Sequence, residues 1–481
     1  MYNVLSFLLS RAAVCALCCG ALCVCAPAQA GESRTGAHRP DAPVISVRDR
    51  LARGPEATGG GRASGVRITM PEAVRRALRD NPSLGASAAQ SGASEEGRLS
   101  QMGKFGPSLS MTYSASKKEQ DISPARTTSS LPEKGTYTWS ASVTQPVFTG
   151  FRLLAEYQKA ALQAESDKAA LRDAELTKTQ AVQTAFLNYL RTAENSRSER
   201  EALARLRDQL EITRAFYEVG LRPHLDVLQA EVDVSTAEKT LLQTENNRDT
   251  YMAELNTLLG LPATADPVYA GKLAHVPFAR KLEQCLEAAY RQRPDLFMAA
   301  KAVQIAGKSR ESVRSEYYPQ VEAYYTLNRT GNTPGLERSG ENGSRTESWE
   351  AGVQASWNVF QWGTTYHADQ QAGLLVSKVR YEEENLRLEV GYIVKSCLLA
   401  VREAEKRIAV AQKSVAQAQE AYAAALARYQ EQVGTNFDVL DASSKLLTAQ
   451  ASLTSAKADY LTALSQIYVA MGEYHPDLLA R

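Results

Sequence analysis

Cysteine is scarce in most of this 481-residue chain. Five of the seven cysteines lie at or before Cys25, and only Cys285 and Cys397 lie beyond it. Neither of these two has a neighbour at the spacing of a metal ligand. The sequence therefore predicts no metal site, and it predicts a fold held together by packing rather than by a disulfide framework.

Net charge is also absent. The chain has 55 Lys and Arg against 54 Asp and Glu, and removal of residues 1–30, whose only charged side chain is Arg11, leaves 54 of each (55 − 1 = 54). A neutral chain has no general electrostatic attraction to nucleic acid. Its five histidines are scattered, and it has neither a glycine-rich phosphate loop nor a nucleophile elbow. We therefore predict that the protein is not an enzyme, binds no cofactor and has no nucleic-acid partner.

The N-terminal segment 1–66 is predicted to lie outside the fold. Residues 1–30 contain one charged side chain, an apolar run over 12–25 and the small residues Ala28 and Ala30, which is typical of a secretory signal peptide. The run is too short to cross a membrane as a helix. Residues 31–66 are rich in Gly, Pro, Arg and Ser and are predicted to be a disordered leader.

The rest of the chain contains an internal repeat. One constant shift in numbering (294 − 82 = 212) aligns the second part with the first without a gap. The aligned pairs are Pro82 with Pro294, Pro107 with Pro319, Phe148 with Phe360, Asp226 with Asp438 and Gly260 with Gly472. So long a period indicates two domain-sized repeats rather than solenoid units. We divide the mature chain into a first repeat, 67–262, and a second repeat, 276–475.

Each repeat is predicted to contain four helices. The predicted ranges are 70–79, 82–105, 151–219 and 223–259 in the first repeat, and 282–291, 294–317, 364–433 and 435–471 in the second. Residues 151–219 lack both proline and glycine, so one helix could extend about 100 Å at about 1.5 Å per residue. Apolar residues at heptad spacing predict a coiled-coil surface in the second repeat: Leu386, Val390, Ile393, Cys397, Ala400 and Ala404.

Between the second and third helices, the pattern alternates instead. In the hairpins 107–148 and 319–360, apolar residues alternate with small polar ones over segments of about 10 residues, the length of a tilted membrane-spanning strand. An antiparallel sheet with one face on a soluble core is the alternative. The position of all four tryptophans in or next to these strands favours contact with membrane lipid. Four strands are too few to close a barrel, so several copies must share one.

The order of short motifs resembles the TolC-type outer membrane efflux protein family over about 67–475. The motifs begin at Pro107 (Pro-Ser-Leu), Pro319 (Pro-Gln-Val), Gln145 (Gln-Pro-Val-Phe-Thr-Gly), Tyr217 (Tyr-Glu-Val-Gly-Leu) and Val433 (Val-Gly-Thr-Asn-Phe-Asp-Val-Leu-Asp-Ala). The resemblance implies a mixed α and β fold, in which a long antiparallel α-helical barrel continues four β-strands per chain of a shared transmembrane β-barrel. It further implies a homotrimer in the outer membrane that serves as exit duct in tripartite efflux or type I secretion. Its partners would be a periplasmic adaptor protein and an inner-membrane transporter.

Two departures from the family pattern stand out. In the second repeat, Trp357 and Asn358 replace the Gln-Pro pair that ends the first hairpin. The glycine of the second helix–helix turn also lies closer to its aspartate, at 434 and 438, than in the first turn, at 220 and 226. We therefore expect both the strand exit and the turn to differ between the two repeats.

The resemblance assigns the closed periplasmic aperture to Asp438 and Asp441, and Asp226 is a further candidate. Asp438 and Asp441 are three residues apart, so a helix places them on one face. Alternatively, Asp438 and Asp226 stabilise helix N-termini, where negative charge is favourable. That alternative does not explain Asp441, whose counterpart in the first repeat is Gln229.

The resemblance also assigns adaptor docking to the two helix–helix turns. These are Val219, Gly220 and Leu221 in the first repeat and Val433, Gly434 and Thr435 in the second. The alternative role of the glycines is geometric, because glycine accepts a positive φ at a helix end.

Two other classes of protein share the long helices. One is a periplasmic coiled-coil adaptor, and the other is a structural protein that spans the envelope. Neither explains four alternating strands with tryptophans in and beside them.

Overall fold

The computed structural model describes residues 67–117, 135–336 and 345–474. The predicted signal peptide, the predicted leader and most of both hairpin loops lie outside these residues. Helices and one four-stranded antiparallel sheet make up most of the described part. The predicted mixed α and β fold class is confirmed.

The first repeat runs from β1 to α4. Its elements are β1 (Arg67–Ile68), α1 (Met70–Asp80), α2 (Pro82–Gly103), β2 (Ser108–Lys117), β3 (Gly135–Thr149), α3 (Arg152–Glu218) and α4 (His224–Leu258). Strand β4 (Val268–Tyr269) lies between the two repeats. The second repeat has α5 (Leu282–Gln292), α6 (Pro294–Arg314), a 3-10 turn (Ser315–Tyr317), β5 (Gln320–Gly331), β6 (Arg345–Ser356), α7 (Thr364–Gln430) and α8 (Asn436–Ala470). All eight predicted helices are present, and their ends lie close to the predicted ones.

Two features of the strands differ from the prediction. The short strands β1, at the start of the first repeat, and β4, just before the second, pair in parallel and were not predicted. Strand β3 continues through Pro146 to Thr149 by means of a bulge, whereas β6 stops at Ser356. The expected difference between the two strand exits is therefore present.

An equivalent side-chain hydrogen bond occurs at the end of the returning helix in both repeats. The residue before each helix-starting proline, Asn81 or Arg293, donates a side-chain hydrogen bond to a carbonyl in the last turn of the returning helix. Asn81 Nδ2 lies 2.8 Å from Leu258 O, and Arg293 Nη1 lies 3.1 Å from Ala470 O. The two bonds occupy equivalent positions in the two repeats. They satisfy carbonyl groups that a helix end leaves free.

The apolar core lies where α1 and α5 pack against the middle of the long helices. Phe186 of α3, Val390 of α7 and Tyr460 of α8 are fully buried in it. Within the described ranges, no helix combines the length and apolar character needed to cross a membrane.

The predicted coiled-coil surface of α7 is partly wrong. Val390 and Ala404 are buried as expected, but Ala400 is exposed. Leu398 and Val401 are buried instead. The buried face of α7 still advances in steps of three and four residues, and in the middle of the helix it lies one residue later than predicted. The buried residues of this stretch are Val390, Val394, Leu398, Val401, Ala404, Ile408 and Ala411.

The sheet has the strand order β2-β3-β5-β6. Its pairing places residues of similar polarity side by side on the same face in all four strands. One row joins Leu109, Val143, Tyr325 and Ala351; the adjacent row, on the other face, joins Ser110, Ser142, Thr326 and Glu350. On that polar face, the hydroxyl groups of Ser142 and Thr326 are 3.0 Å apart. The alternation in the sequence therefore becomes one polar face and one face that is mostly apolar, with the Arg329–Glu347 ion pair in the row of Trp139.

An ion-pair cluster connects α6 and α7 below the sheet. Arg310 Nε lies 2.6 Å from Asp369 Oδ1, and Arg314 Nε lies 3.0 Å from the same oxygen. The hydrogen bond from Arg310, and then that from Arg314, lower the pKa of Asp369 to about 2. Because the pKa is depressed by folding, this contribution to stability is complete above the ordinary pKa of an aspartate. It is lost as the pH falls towards 2.

Candidate functional site

The first helix–helix turn is an exposed apolar tip. Helix α3 ends at Glu218, and Gly220 takes φ +78° with open space around the position of a Cβ. The N–H of Leu221 donates to Phe216 O at 2.9 Å, which closes the helix end. Val219 and Leu221 are 68% and 50% exposed. The predicted docking residues of the first turn are therefore accessible in the single chain.

The second turn is built differently, as its shorter spacing suggested. The positive φ of 63° belongs to Gln432 rather than to Gly434, so the geometric role predicted for Gly434 is wrong. Gly434 is buried instead, and a Cβ there would lie 3.2 Å from the Arg428 backbone. Val433 is 73% exposed. Lack of a side chain at 434 permits close packing, while 433 presents the apolar surface.

Asp438 is part of the helix cap of α8. The N-cap residue is Thr435, not Asn436, which is the first residue of α8. The N–H and hydroxyl of Thr435 donate to Asp438 Oδ2 at 3.0 and 2.7 Å, and the N–H of Asp438 donates to Thr435 Oγ1 at 3.2 Å. The bonds from the Thr435 backbone and side chain lower the pKa of Asp438. The capping interpretation of Asp438 thus has a direct structural basis.

Asp441 lies one turn further along α8. Its carboxylate accepts a hydrogen bond from Lys445 Nζ at 2.7 Å. The Lys445 side chain is exposed, whereas Asp441 is half-buried. Asp441 also lines a groove of about 800 Å³ between α3, α4 and α8. Burial raises the pKa of two other carboxyl groups in this groove, Glu199 and Asp233. The groove therefore combines three acidic groups with apolar side chains next to the tip.

Asp226 joins the two turns through its backbone. Its carbonyl accepts a hydrogen bond from Asn436 Nδ2 at 3.4 Å. The buried Asn436 side chain accepts a second bond from Gln209 Nε2 at 2.9 Å. Asp226 is in the first turn of α4, where its charge complements the helix dipole.

An arginine that sequence analysis missed fastens one turn to the other. Arg222 Nη2 donates to the carbonyl of Gly434 at 2.6 Å, and its guanidinium lies 5.0 Å from the centroid of the Tyr429 ring. Tyr429 is fully buried, with its hydroxyl 3.2 Å from Thr213 Oγ1. We call Arg222, Tyr429 and Gly434 the tip clasp. The only signal in the sequence was that Arg222 and Gly434 occupy equivalent positions in the two repeats.

No group of three or more His, Cys, Asp or Glu side chains that could hold a metal ion occurs in the described ranges.

A family model described as Outer membrane efflux protein matches the chain twice, over residues 73–261 and 285–473. The two matches begin and end one repeat period apart (285 − 73 = 212 and 473 − 261 = 212). A comparison with curated protein sequences gave no significant match.

Several solved outer membrane proteins have a similar fold. The outer membrane channel CmeC of Campylobacter jejuni is 15% identical with a TM-score of 0.73, over 85% of this chain and 86% of that one. VceC of Vibrio cholerae is 17% identical with a TM-score of 0.70, over 84% and 96%. The open state of the MtrE channel of Neisseria gonorrhoeae is 19% identical with a TM-score of 0.70, over 84% and 89%.

The matched family is one of efflux proteins, and CmeC and MtrE are described as outer membrane channels. The two family matches cover most of the chain and contain the long helices, both hairpins and both turns. The chain belongs to the outer membrane efflux protein family, and its location is the outer membrane.

Proposed function

We propose that this protein is the exit duct of a tripartite efflux or type I secretion system. It works as a homotrimer with a periplasmic adaptor and an inner-membrane transporter. The observation that carries this proposal is the course of α3 and α7, 67 residues each, which run from the sheet to the tip turns. At about 1.5 Å per residue each spans about 100 Å, enough to bring a duct far into the periplasm.

The free edges of the sheet support the homotrimer. Strands β2 and β6 each have one neighbour in the sheet, and their large apolar side chains are exposed, such as Met111 at 66% and Val353 at 70%. An open edge is not tolerated in lipid, so copies must join β6 to β2. Three copies, the number found in the family, give twelve strands.

We assign adaptor docking to the apolar side chains of the two turns. Val219, Leu221 and Val433 are exposed at the end of the helices farthest from the sheet. Exposed aliphatic side chains at a helix–helix tip are suited to packing against the apolar face of a partner's helical hairpin.

Changing Leu221 to Asp should remove most export activity, because a charge at an apolar contact must be desolvated without a partner. Val433→Asp should do the same, whereas Leu221→Met and Val433→Ile should export normally. Export is measured as accumulation of a fluorescent efflux substrate in cells. Oligomers must reach the outer membrane in all four variants. Normal export by both Asp variants would exclude the turns as docking site.

We also propose that Asp441 sets the selectivity of the closed aperture, with Asp438 adding charge while it caps α8. Three copies would bring six carboxylates close together, and such a cluster attracts cations. The capping box explains Asp438 without an aperture, so Asp441 is the residue that separates the two interpretations.

Asp441→Asn should lower the cation-to-anion permeability ratio in planar bilayers and weaken block by multivalent cations from the periplasmic side. The cap of α8 stays intact in this variant because Asp438 is unchanged. Asp249→Asn, an exposed aspartate on α4 about 40 Å along the helix from the turn, is the control and should keep wild-type selectivity. Unchanged selectivity in Asp441→Asn would remove Asp441 from the aperture.

A further inference from the structure

Strand β6 ends early because it lacks a neighbour. In the first repeat, residues 145–149 are strand only through their pairing with β5, which reaches Thr149 with Gln320. Strand β2 leaves β3 already at Thr144. The equivalent residues 357–361 follow Ser356, the last residue of β6 paired to β5, and have no second strand beside them. In the proposed shared barrel, the strand beside them would be β2 of another copy.

The internal repeat supplies a template for that missing contact. The interface of β3 with β5 inside the chain corresponds to the interface of β6 with β2 of the next copy, with every residue moved by one repeat period. The pair Phe148 with Val321 then predicts Phe360 opposite Leu109 of the next copy. Phe360 is 71% exposed and Leu109 is 63% exposed in the single chain. The template thus pairs apolar side chains that the single chain leaves uncovered.

The turns after the two hairpins also correspond, but the small and the large residues have changed places. Inside the chain, Gly150 has φ +59° and is so tightly packed that a Cβ would lie 2.5 Å from Ser315 O and 3.0 Å from Tyr318 Cβ. Its equivalent is Trp362, with a similar φ of 48°. A bulky residue in the left-handed region is strained, which suggests a function for the direction in which its side chain points.

The equivalents of Ser315 and Tyr318 are both glycines. They are Gly103 at the end of α2 and Gly106 just before β2, and a Cβ at Gly103 would meet nothing within 4 Å. Thus the chain has a glycine facing two larger residues inside the molecule, and a tryptophan facing two glycines between molecules. The close backbone contact at Gly150 cannot be repeated unchanged at Trp362, so the two copies lie slightly further apart there and leave room for the ring.

We infer that the indole of Trp362 seats on the surface of Gly103 and Gly106 in the next copy of the chain. Trp362 is 90% exposed in the single chain, with Phe360 as its aromatic neighbour at 5.1 Å. Seating on a second copy covers a side chain of the largest type, whose burial is strongly favourable. This inference rests on the proposed sharing of one barrel by several copies. It adds a contact that locks the junction between strands and helices.

Photocrosslinking tests this contact. p-Benzoylphenylalanine replaces Trp362, and outer membranes containing the protein are irradiated. We expect covalent dimers, in which the adduct joins position 362 to the tryptic peptide 99–104 or 105–117 of another chain, bounded by Arg98, Lys104 and Lys117. The matched control places the same residue at Phe151, whose ring contacts Tyr318 of its own chain at 5.9 Å. That variant should crosslink within the chain and give no dimer.

A second variant tests the surface on which the indole is proposed to pack. Gly103→Ile fills the open space at Gly103 and should reduce the yield of the dimer several-fold. Oligomers that form normally but crosslink from position 362 to lipid, to another segment or to nothing would overturn the inference, while the shared barrel stands. If the wild-type protein is monomeric in the membrane, the shared barrel and the proposed duct fail together with it.

Discussion

Changing Val143 to Arg is expected to prevent assembly in the outer membrane. Val143 lies near the middle of β3, on the apolar face, in the row of Leu109 and Tyr325. A lipid-facing arginine near the midplane of a membrane strand costs about 2–4 kcal/mol in each copy. The amount of heat-sensitive oligomer in isolated outer membranes measures the effect, and we expect it to fall to a small fraction of wild type.

The adjacent residue provides the control. Ser142 is on the polar face, where its hydroxyl lies 3.0 Å from that of Thr326. Ser142→Arg introduces the same charge into the polar face and loses only this hydrogen bond, worth about 1 kcal/mol. It should assemble well. Equal assembly of the two variants would mean that the sheet does not separate lipid from water.

Changing Arg222 to Gln is expected to loosen the periplasmic tip. The substitution removes the charged donor to Gly434 O and the guanidinium over Tyr429 that make up the tip clasp. A hydrogen bond to a charged group contributes about 1.5–3 kcal/mol. Since about 1.4 kcal/mol is a factor of ten in an equilibrium constant, an open state should become at least about ten-fold more populated. Single-channel recordings should show larger or longer conductance steps than wild type.

Arg214→Gln is the matched control for the tip clasp. Arg214 pairs with Glu231 at the surface of the same helical hairpin, and both side chains are largely exposed. Exposed pairs contribute little to stability, so its recordings should match wild type. If Arg222→Gln also matches wild type, the tip clasp does not hold the channel closed.

The sequence predicted the helices well because their signals are local. Residues 151–219 without proline or glycine became one helix, and the prolines at 82 and 294 each begin one. The alternation in the hairpins predicted the two faces of the sheet, and pairing then aligned them across all four strands. These features depend on periodicity and on single residues with strong backbone preferences.

The tip was harder to predict because its contacts join distant parts of the chain. Arg222 reaches Gly434, and Gln209 reaches Asn436 in the other repeat. The sequence predicted a positive φ at Gly434, but in the structure the positive φ belongs to Gln432. A helix can end in more than one similar turn geometry, and the sequence alone does not show which one forms. The sequence pattern of one chain also does not show which of its side chains a second copy covers, and the proposed contact of Trp362 is an example.

Conductance of the purified oligomer in planar lipid bilayers tests the central claim most directly, namely that copies of this chain share one membrane-spanning channel. Discrete, cation-selective conductance steps should appear with the wild-type oligomer and be absent from unassembled chains. An oligomer that inserts into the bilayer and passes no ions, in wild type and in Arg222→Gln alike, would contradict the account.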